Sequence, residues 1–231
     1  MTAAHGPSTV AAVLVAGGSG RRLGAEVPKA FVEVASRTLL GHAAARFDRH
    51  PEVGGLVVVA PATHLDDAKG IADGAVVVAG GATRQDSVLA GLAALAPEVE
   101  YVLVHDAARP FVTRRVITSV LRALNDGADA AIPVLPVHDT IRRVDAAGEL
   151  IGVVDRNELV AVQTPQGFRR AALVAAHAAG QQLQVTDDAA LVEAMGGTVL
   201  AVPGADELFK ITRPWDLAAA EALVAAGALD D

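Results

Sequence analysis

Short runs of branched apolar residues alternate with helix-length amphipathic segments from Val10 almost to the end of the chain, and few architectures accept that alternation. The strand-like runs fall at residues 10–16, 55–60, 75–78, 101–105, 130–135, 160–163 and 198–202. Helical periodicity fills residues 39–47, 63–70, 83–95, 113–124, 169–180 and 187–195, and 214–226 closes the series. Strands separated by helix-length crossovers predict a single α/β domain, a mainly parallel mixed sheet with helices on both faces. The 231 residues suit one such domain, and a hydrophobic content of 52% supplies its core. Ligands of these sheets bind outside the carboxyl ends of the strands, so the residues that follow each strand are the ones to read for chemistry.

One stretch breaks the pattern. Residues 140–144, a turn at Asp145-Ala146-Ala147-Gly148 and residues 149–154 read as a two-stranded arm within an insertion spanning 137–158. An isolated ribbon is marginal in water, so this one should pack on its own domain or on a second subunit.

Composition removes several function classes. A net charge of −8 argues against a sequence-general nucleic-acid surface, which needs clustered Lys and Arg. No apolar run reaches membrane-spanning length. The absence of cysteine excludes thiolate catalysis and cysteine zinc sites, and suits a reducing cytoplasm. Residues 1–9 lack the basic-plus-apolar pattern of a secretory signal.

The first strand opens into Ala16-Gly17-Gly18-Ser19-Gly20-Arg21-Arg22, with Pro28-Lys29 close behind. Gly17, Gly18 and Gly20 let backbone N–H groups converge on phosphate oxygens, and Arg21 or Arg22 together with Lys29 can neutralise charge the amides cannot. A strand-ending turn with solvated arginines is the plainer alternative. Two familiar phosphate loops are excluded by spacing. A Walker loop needs Gly-Lys before Ser or Thr, whereas Lys29 lies between Pro28 and Ala30. A dinucleotide fingerprint needs a third glycine where Leu23 stands and an acidic residue where Ala60-Pro61 end the second strand.

Further strand ends add to this. Tyr101-Val102-Leu103-Val104-His105-Asp106 delivers a carboxylate that can ligate Mg²⁺ beside substrate phosphates, or else cap its turn and pair with Arg109. His105 reads as structural, and no histidine or carboxylate cluster has zinc spacing. Gly80-Gly81-Ala82-Thr83-Arg84-Gln85-Asp86-Ser87 is a second backbone-rich rim able to read a base, although Thr83 alone reads as an N-cap. Thr186-Asp187-Asp188 likewise reads as an N-cap with acidic first-turn residues, and Lys210, within Phe209-Lys210-Ile211, must snorkel or meet an anion. Cations, glycine amides and one metal carboxylate, with no nucleophile–base pair, suit phosphoryl or nucleotidyl transfer, where positioning and charge stabilisation dominate. A phosphate-monoester acceptor, with a second pKa of about 6, needs no general base at neutral pH.

These segments, in this order, resemble the 2-C-methyl-D-erythritol 4-phosphate cytidylyltransferase family over residues 10–226. The resemblance rests on the glycine loop with Arg22 and Pro28-Lys29, on Gly80-Gly81 with Arg84 and Asp86-Ser87, and on His105-Asp106-Ala107-Ala108-Arg109-Pro110. It continues through Asp139-Thr140, Asp155-Arg156-Asn157, Thr164-Pro165-Gln166, Thr186-Asp187 and Lys210-Ile211-Thr212-Arg213-Pro214. It implies a Rossmann-like nucleotidyltransferase domain in which Arg22 and Lys29 stabilise the transition state on the α-phosphate of CTP. The backbone of Ala16, Gly17 and Gly18, with Gly81 and Ser87, would hold cytidine, and Asp106 would serve near Mg²⁺. Arg156, Thr140 and Lys210 would position the acceptor phosphate, with Gly20, Arg109, Thr164 and Thr186 completing the substrate-binding set. Family members dimerise through a swapped arm, which would bring Arg156 and Thr140 to the neighbouring subunit's site. Gly17 stands where the family usually has alanine, and Ala82 where an acidic residue is frequent. A pentitol-phosphate cytidylyltransferase acting on ribitol 5-phosphate, and a non-catalytic CTP-sensing module, are the alternatives.

Overall fold

The computed structural model describes residues 9–18, 20, 23–25, 27–180, 185 and 187–228. Its central sheet has eight strands. β1 (Val10–Val15) lies between β6 (Tyr101–Asp106) and β4 (Gly55–Ala60), all parallel, and β5 (Val76–Ala79) extends the parallel set beyond β4. On the other side of β6 the sheet becomes mixed. β11 (Gln166–Arg169) runs antiparallel between β6 and β7 (Ala130–Pro136), β10 (Val160–Val162) pairs antiparallel with β7, and β12 (Val199–Pro203) pairs parallel with it. A small hairpin of β2 (Glu33–Val34) and β3 (Arg37–Thr38) precedes the first helix.

The period-2 alternation of the apolar strands builds two cores. On one face Ala12, Leu14, Val58 and Leu103 meet α1 (Leu39–Asp48), α2 (Leu65–Ile71) and α4 (Arg114–Asn125) through Leu40, Phe47, Ala68, Val120 and Leu124. On the other, Val13, Val57, Val59, Val102 and Val104 meet α3 (Arg84–Ala93), α5 (Arg170–Ala179) and α6 (Asp188–Ala194) through Val88, Leu92, Leu173 and Leu191. α7 (Pro214–Ala225) closes a third cluster with Val34, Leu39, Phe111 and Ile211. The sequence expectation of an α/β domain with helices on both faces is met.

The strand expected at 160–163 is present as the edge strand β10, whereas β11, which inserts beside β6, was not among the expected strands. Gly167 explains why β11 escapes a pattern search. A Cβ there would run into Val120 Cγ1 and lie 3.0 Å from Leu124 Cδ1, so α4 presses on a bare backbone, and glycine is what a sequence reader takes for a breaker.

The arm is present as read. β8 (Ile141–Val144) and β9 (Leu150–Val154) pair only with each other, with a register shift between Arg143 and Val144. Val144, Leu150, Ile151 and Val153 are all exposed on it.

Candidate active site

Strand register brings the rims together. Val15 is level with both Val59 and Asp106, and Ala60 with Ala79, so the turns after β1, β5 and β6 end at one edge of the sheet. Between them lies a pocket of about 330 Å³, bounded by Ala16, Gly17 and Gly18, by Gly80 to Arg84, and by Lys29, Asp106 and Lys210.

Among the described residues no α-helix lies between β1 and α1. Gly20 takes φ +69°, where a Cβ would lie 2.7 Å from Val27 O, and the chain returns so that Lys29 N–H donates to Gly18 O at 2.8 Å. Lys29 then opens a single 3-10 turn, Lys29–Phe31, with its side chain lining the pocket and its Cε passing 3.5 Å from where a Cβ on Gly18 would be. Arg22 and Thr186, both expected in the site, lie outside the described residues.

The second rim is held by the start of α3. Thr83 Oγ1 accepts from Asp86 N–H and Asp86 Oδ2 accepts from Thr83 N–H, both at 3.0 Å, a capping box that fulfils the N-cap reading. Ser87 Oγ donates to Thr83 O at 2.9 Å and accepts from Gly81 N–H at 3.2 Å, so the hydroxyl ties down the glycine loop. Gly81 has no room for a side chain, since a Cβ would collide with Asp86.

Asp106 is the electrostatic centre. Lys210 Nζ lies 2.6 Å from its Oδ2 and Arg84 Nε 3.5 Å from its Oδ1. Burial raises the Asp106 carboxyl pKa, but Lys210 and then Arg84 outweigh it and hold the group well below the usual carboxylate range. Lys210 thus meets the anion that its apolar surroundings required. The alternative Asp106–Arg109 pair is absent: Arg109 instead donates to Leu208 O at 2.8 Å and Val162 O at 3.2 Å, tying the Lys210 segment to β10.

Thr164 lies behind the pocket. Its hydroxyl accepts from Asp106 N–H at 3.1 Å and is 3.1 Å from His105 Nδ1, while His105 Nε2 is 2.9 Å from Arg109 O. Since a carbonyl only accepts, Nε2 carries the proton and Nδ1 accepts from Thr164, which leaves the imidazole neutral and fully engaged. His105 has no exposed surface.

Thr140 and Arg156 are both exposed and belong to the arm region. They share a separate concavity with Val153, Val154, Asp155 and Asn157, and Arg156 donates to His138 O. Neither lines the pocket in its own chain.

A divalent cation is compatible with this donor set. No cluster of three or more His, Asp or Glu exists among the described residues, so a protein cage for a metal is absent there. A lone ionised carboxylate facing a pocket suits Mg²⁺, which keeps waters and takes most remaining ligands from substrate phosphates.

Two residues of the arrangement escaped sequence reading. Asp188, read as a first-turn acid, turns its carboxylate inward to Arg84, 104 residues away, and to His177. The capping role belongs to Asp187, whose Oδ1 accepts from Ala190 N–H. A second acidic residue directly after a filled cap was the available signal.

The model of the 2-C-methyl-D-erythritol 4-phosphate cytidylyltransferase family matches residues 10–226. A "Bifunctional enzyme IspD/IspF" of Clavibacter michiganensis is 52% identical over 221 residues, which cover 92% of this chain and 54% of that protein. The chain therefore spans about half of that relative. A 2-C-methyl-D-erythritol 4-phosphate cytidylyltransferase of Frankia casuarinae is 48% identical, with 94% and 81% covered. The crystal structure of the corresponding Thermus thermophilus enzyme superposes with a TM-score of 0.79 at 42% identity, covering 93% of this chain and 98% of that one.

Proposed function

We propose that the chain, which belongs to the 2-C-methyl-D-erythritol 4-phosphate cytidylyltransferase family, moves CMP from CTP to that polyol phosphate in isoprenoid precursor synthesis, and does so by positioning and charge stabilisation without an enzyme base. The observation that carries this is the meeting of Lys29, Arg84, Lys210 and Asp106 with two glycine rims in one pocket. An oxygen of the acceptor phosphate attacks the α-phosphorus of CTP. The new P–O bond forms as the bond to the β-phosphate oxygen breaks, and pyrophosphate leaves.

The roles follow from placement. The backbone of Ala16, Gly17 and Gly18 and of Gly81, pinned by Ser87, faces the nucleotide. Lys29 sits on the glycine loop, where charge grows on the α-phosphate, with Arg22 as its partner by family resemblance. Asp106 is the residue that would hold Mg²⁺, which when bound would draw off charge from the triphosphate and leaving group. Lys210, beside Asp106, faces the acceptor phosphate. Gly20 shapes the loop that carries Lys29, while Arg109 and Thr164 fix the strand ends beneath Lys210 and Asp106. The acceptor phosphate is ionised near neutral pH, so no enzyme base is required.

Thr140 and Arg156 fit the acceptor only if they come from a second subunit, because in their own chain they do not reach the pocket lining. The exposed apolar residues of the arm support a homodimer that exchanges it. The absence of cysteine fits work in the cytoplasm. Among the described residues no helix is long and apolar enough to cross a membrane.

Pyrophosphate release from CTP, with 2-C-methyl-D-erythritol 4-phosphate and ribitol 5-phosphate supplied in turn, tests the reading. Release is expected with the first acceptor and at a much lower rate with the second. Equal or greater rates with ribitol 5-phosphate would reassign the acceptor, and CTP binding without release would make the chain a nucleotide sensor.

A further inference from the structure

Arg84 is the cation of the pocket to which the transfer reading gives no task. It opens α3, its side chain is 30% exposed, and its guanidinium is held from behind. Nη1 lies 2.5 Å from Asp188 Oδ2, while the contact from Nε to Asp106 is a long 3.5 Å. Asp188 in turn has His177 Nε2 at 3.0 Å from its Oδ1, and the side chains of both Asp188 and His177 are 1% exposed.

A carboxylate without solvent is expensive unless its oxygens are well bonded, and here both are. Capping does not explain it, because Asp187 already caps α6. Nor does packing explain it, since an apolar side chain of similar volume would fill the same space without desolvating a charge. What the buried pair does achieve is to anchor one edge of the Arg84 guanidinium. The fork has five N–H groups, and neither of those on Nη2 is hydrogen-bonded among the described residues. Without the anchor, the guanidinium could close onto Asp106 as a two-pronged pair and neutralise the carboxylate that also holds Lys210.

We propose that Asp188, itself oriented by His177, is a positioning residue that holds Arg84 back from Asp106 and aims its remaining N–H groups at phosphate oxygens of the bound nucleoside triphosphate. This rests on CTP being the ligand of the pocket. Arg84 is then a phosphate-binding side chain of the site, and α5 and α6 contribute to it through Arg84.

The test combines CTP affinity by calorimetry with steady-state turnover for Asp188→Asn, Arg84→Ala and the double variant. Each single variant should weaken CTP binding about tenfold or more, and the double variant should be no worse than Arg84→Ala alone. Losses that multiply in the double variant would mean that Asp188 supports the fold rather than Arg84, and would overturn the positioning. A measurement on the unaltered protein covers the case in which Asp188→Asn does not fold. The ¹⁵N signal of Arg84 Nε–Hε should report slow guanidinium rotation in the free protein and should shift on saturation with CTP. Free rotation, or a signal that CTP leaves unmoved, would overturn the proposal. If the unaltered protein neither binds CTP nor releases pyrophosphate from it, the transfer reading and this proposal fall together. If turnover is normal and the losses multiply, only the proposal falls.

Discussion

His105 sits one residue from the carboxylate at the centre of the site and is nonetheless structural, with both ring nitrogens committed to Arg109 O and Thr164. Burial is the largest influence on it and pushes its pKa from the ordinary 6.5 down to about 4. The unfolded chain therefore takes up this proton at higher pH than the folded one. The contribution to stability is complete above pH 6.5 and is lost as pH falls towards 4, up to about 3 kcal/mol for a shift of that size. In His105→Asn, urea unfolding between pH 6.5 and 4 should show a pH slope shallower by about one proton. The acid limb of turnover should stay where the acceptor phosphate sets it, and a limb that moves with this substitution would reveal an enzyme base. At this scale Lys29, Asp106 and Lys210 were legible in the sequence, because each is an ionisable residue beside a strand-end or apolar signal. Asp188 and His177 were not, because a local acid-after-cap pattern says nothing of a partner 104 residues away.

β11 carries the difference between the sheet expected and the sheet found. Its glycine accommodates α4, so Gly167→Ala must push Val120 and Leu124 out of register with the strand. Overpacking of this kind costs about 1–3 kcal/mol, and the midpoint of urea unfolding should fall accordingly. An unchanged midpoint would show that the α4 contact is looser than described. The arm was legible because its turn, Asp145 to Gly148, and the flanking apolar runs form a local signal, and Asp145 Oδ1 does accept from Ala147 and Glu149 N–H at 2.9 Å. Its partner was not, since a ribbon exposed on both faces does not name what covers it. Arm exchange predicts complementation between Lys29→Ala and Arg156→Ala. Each homodimer should be nearly inactive. In purified mixed dimers one site carries both lesions and the other none, so activity should return to about half that of the unaltered dimer. Mixed dimers no more active than their parents would mean that each arm serves its own subunit.

Over the whole molecule, charge is distributed against the substrate and corrected locally. The chain carries a net −8, which repels a nucleoside triphosphate at long range, yet Lys29, Arg84 and Lys210 are collected at one edge of the sheet. The alternation of strands and helices made that edge predictable, because parallel strands deliver their following turns to the same side. The size of the pocket and the way Asp106 divides itself between two cations came only from the register, which local pattern does not encode. If fixed charge drives the transfer, the cation on the glycine loop should matter more to the transition state than to bound CTP. The most direct measurement is pyrophosphate release by Lys29→Ala alongside its CTP dissociation constant. Turnover should fall about a hundredfold or more, ~3 kcal/mol, while CTP affinity changes by only a few-fold. Near-normal turnover, or a loss carried entirely by weaker CTP binding, would contradict the account.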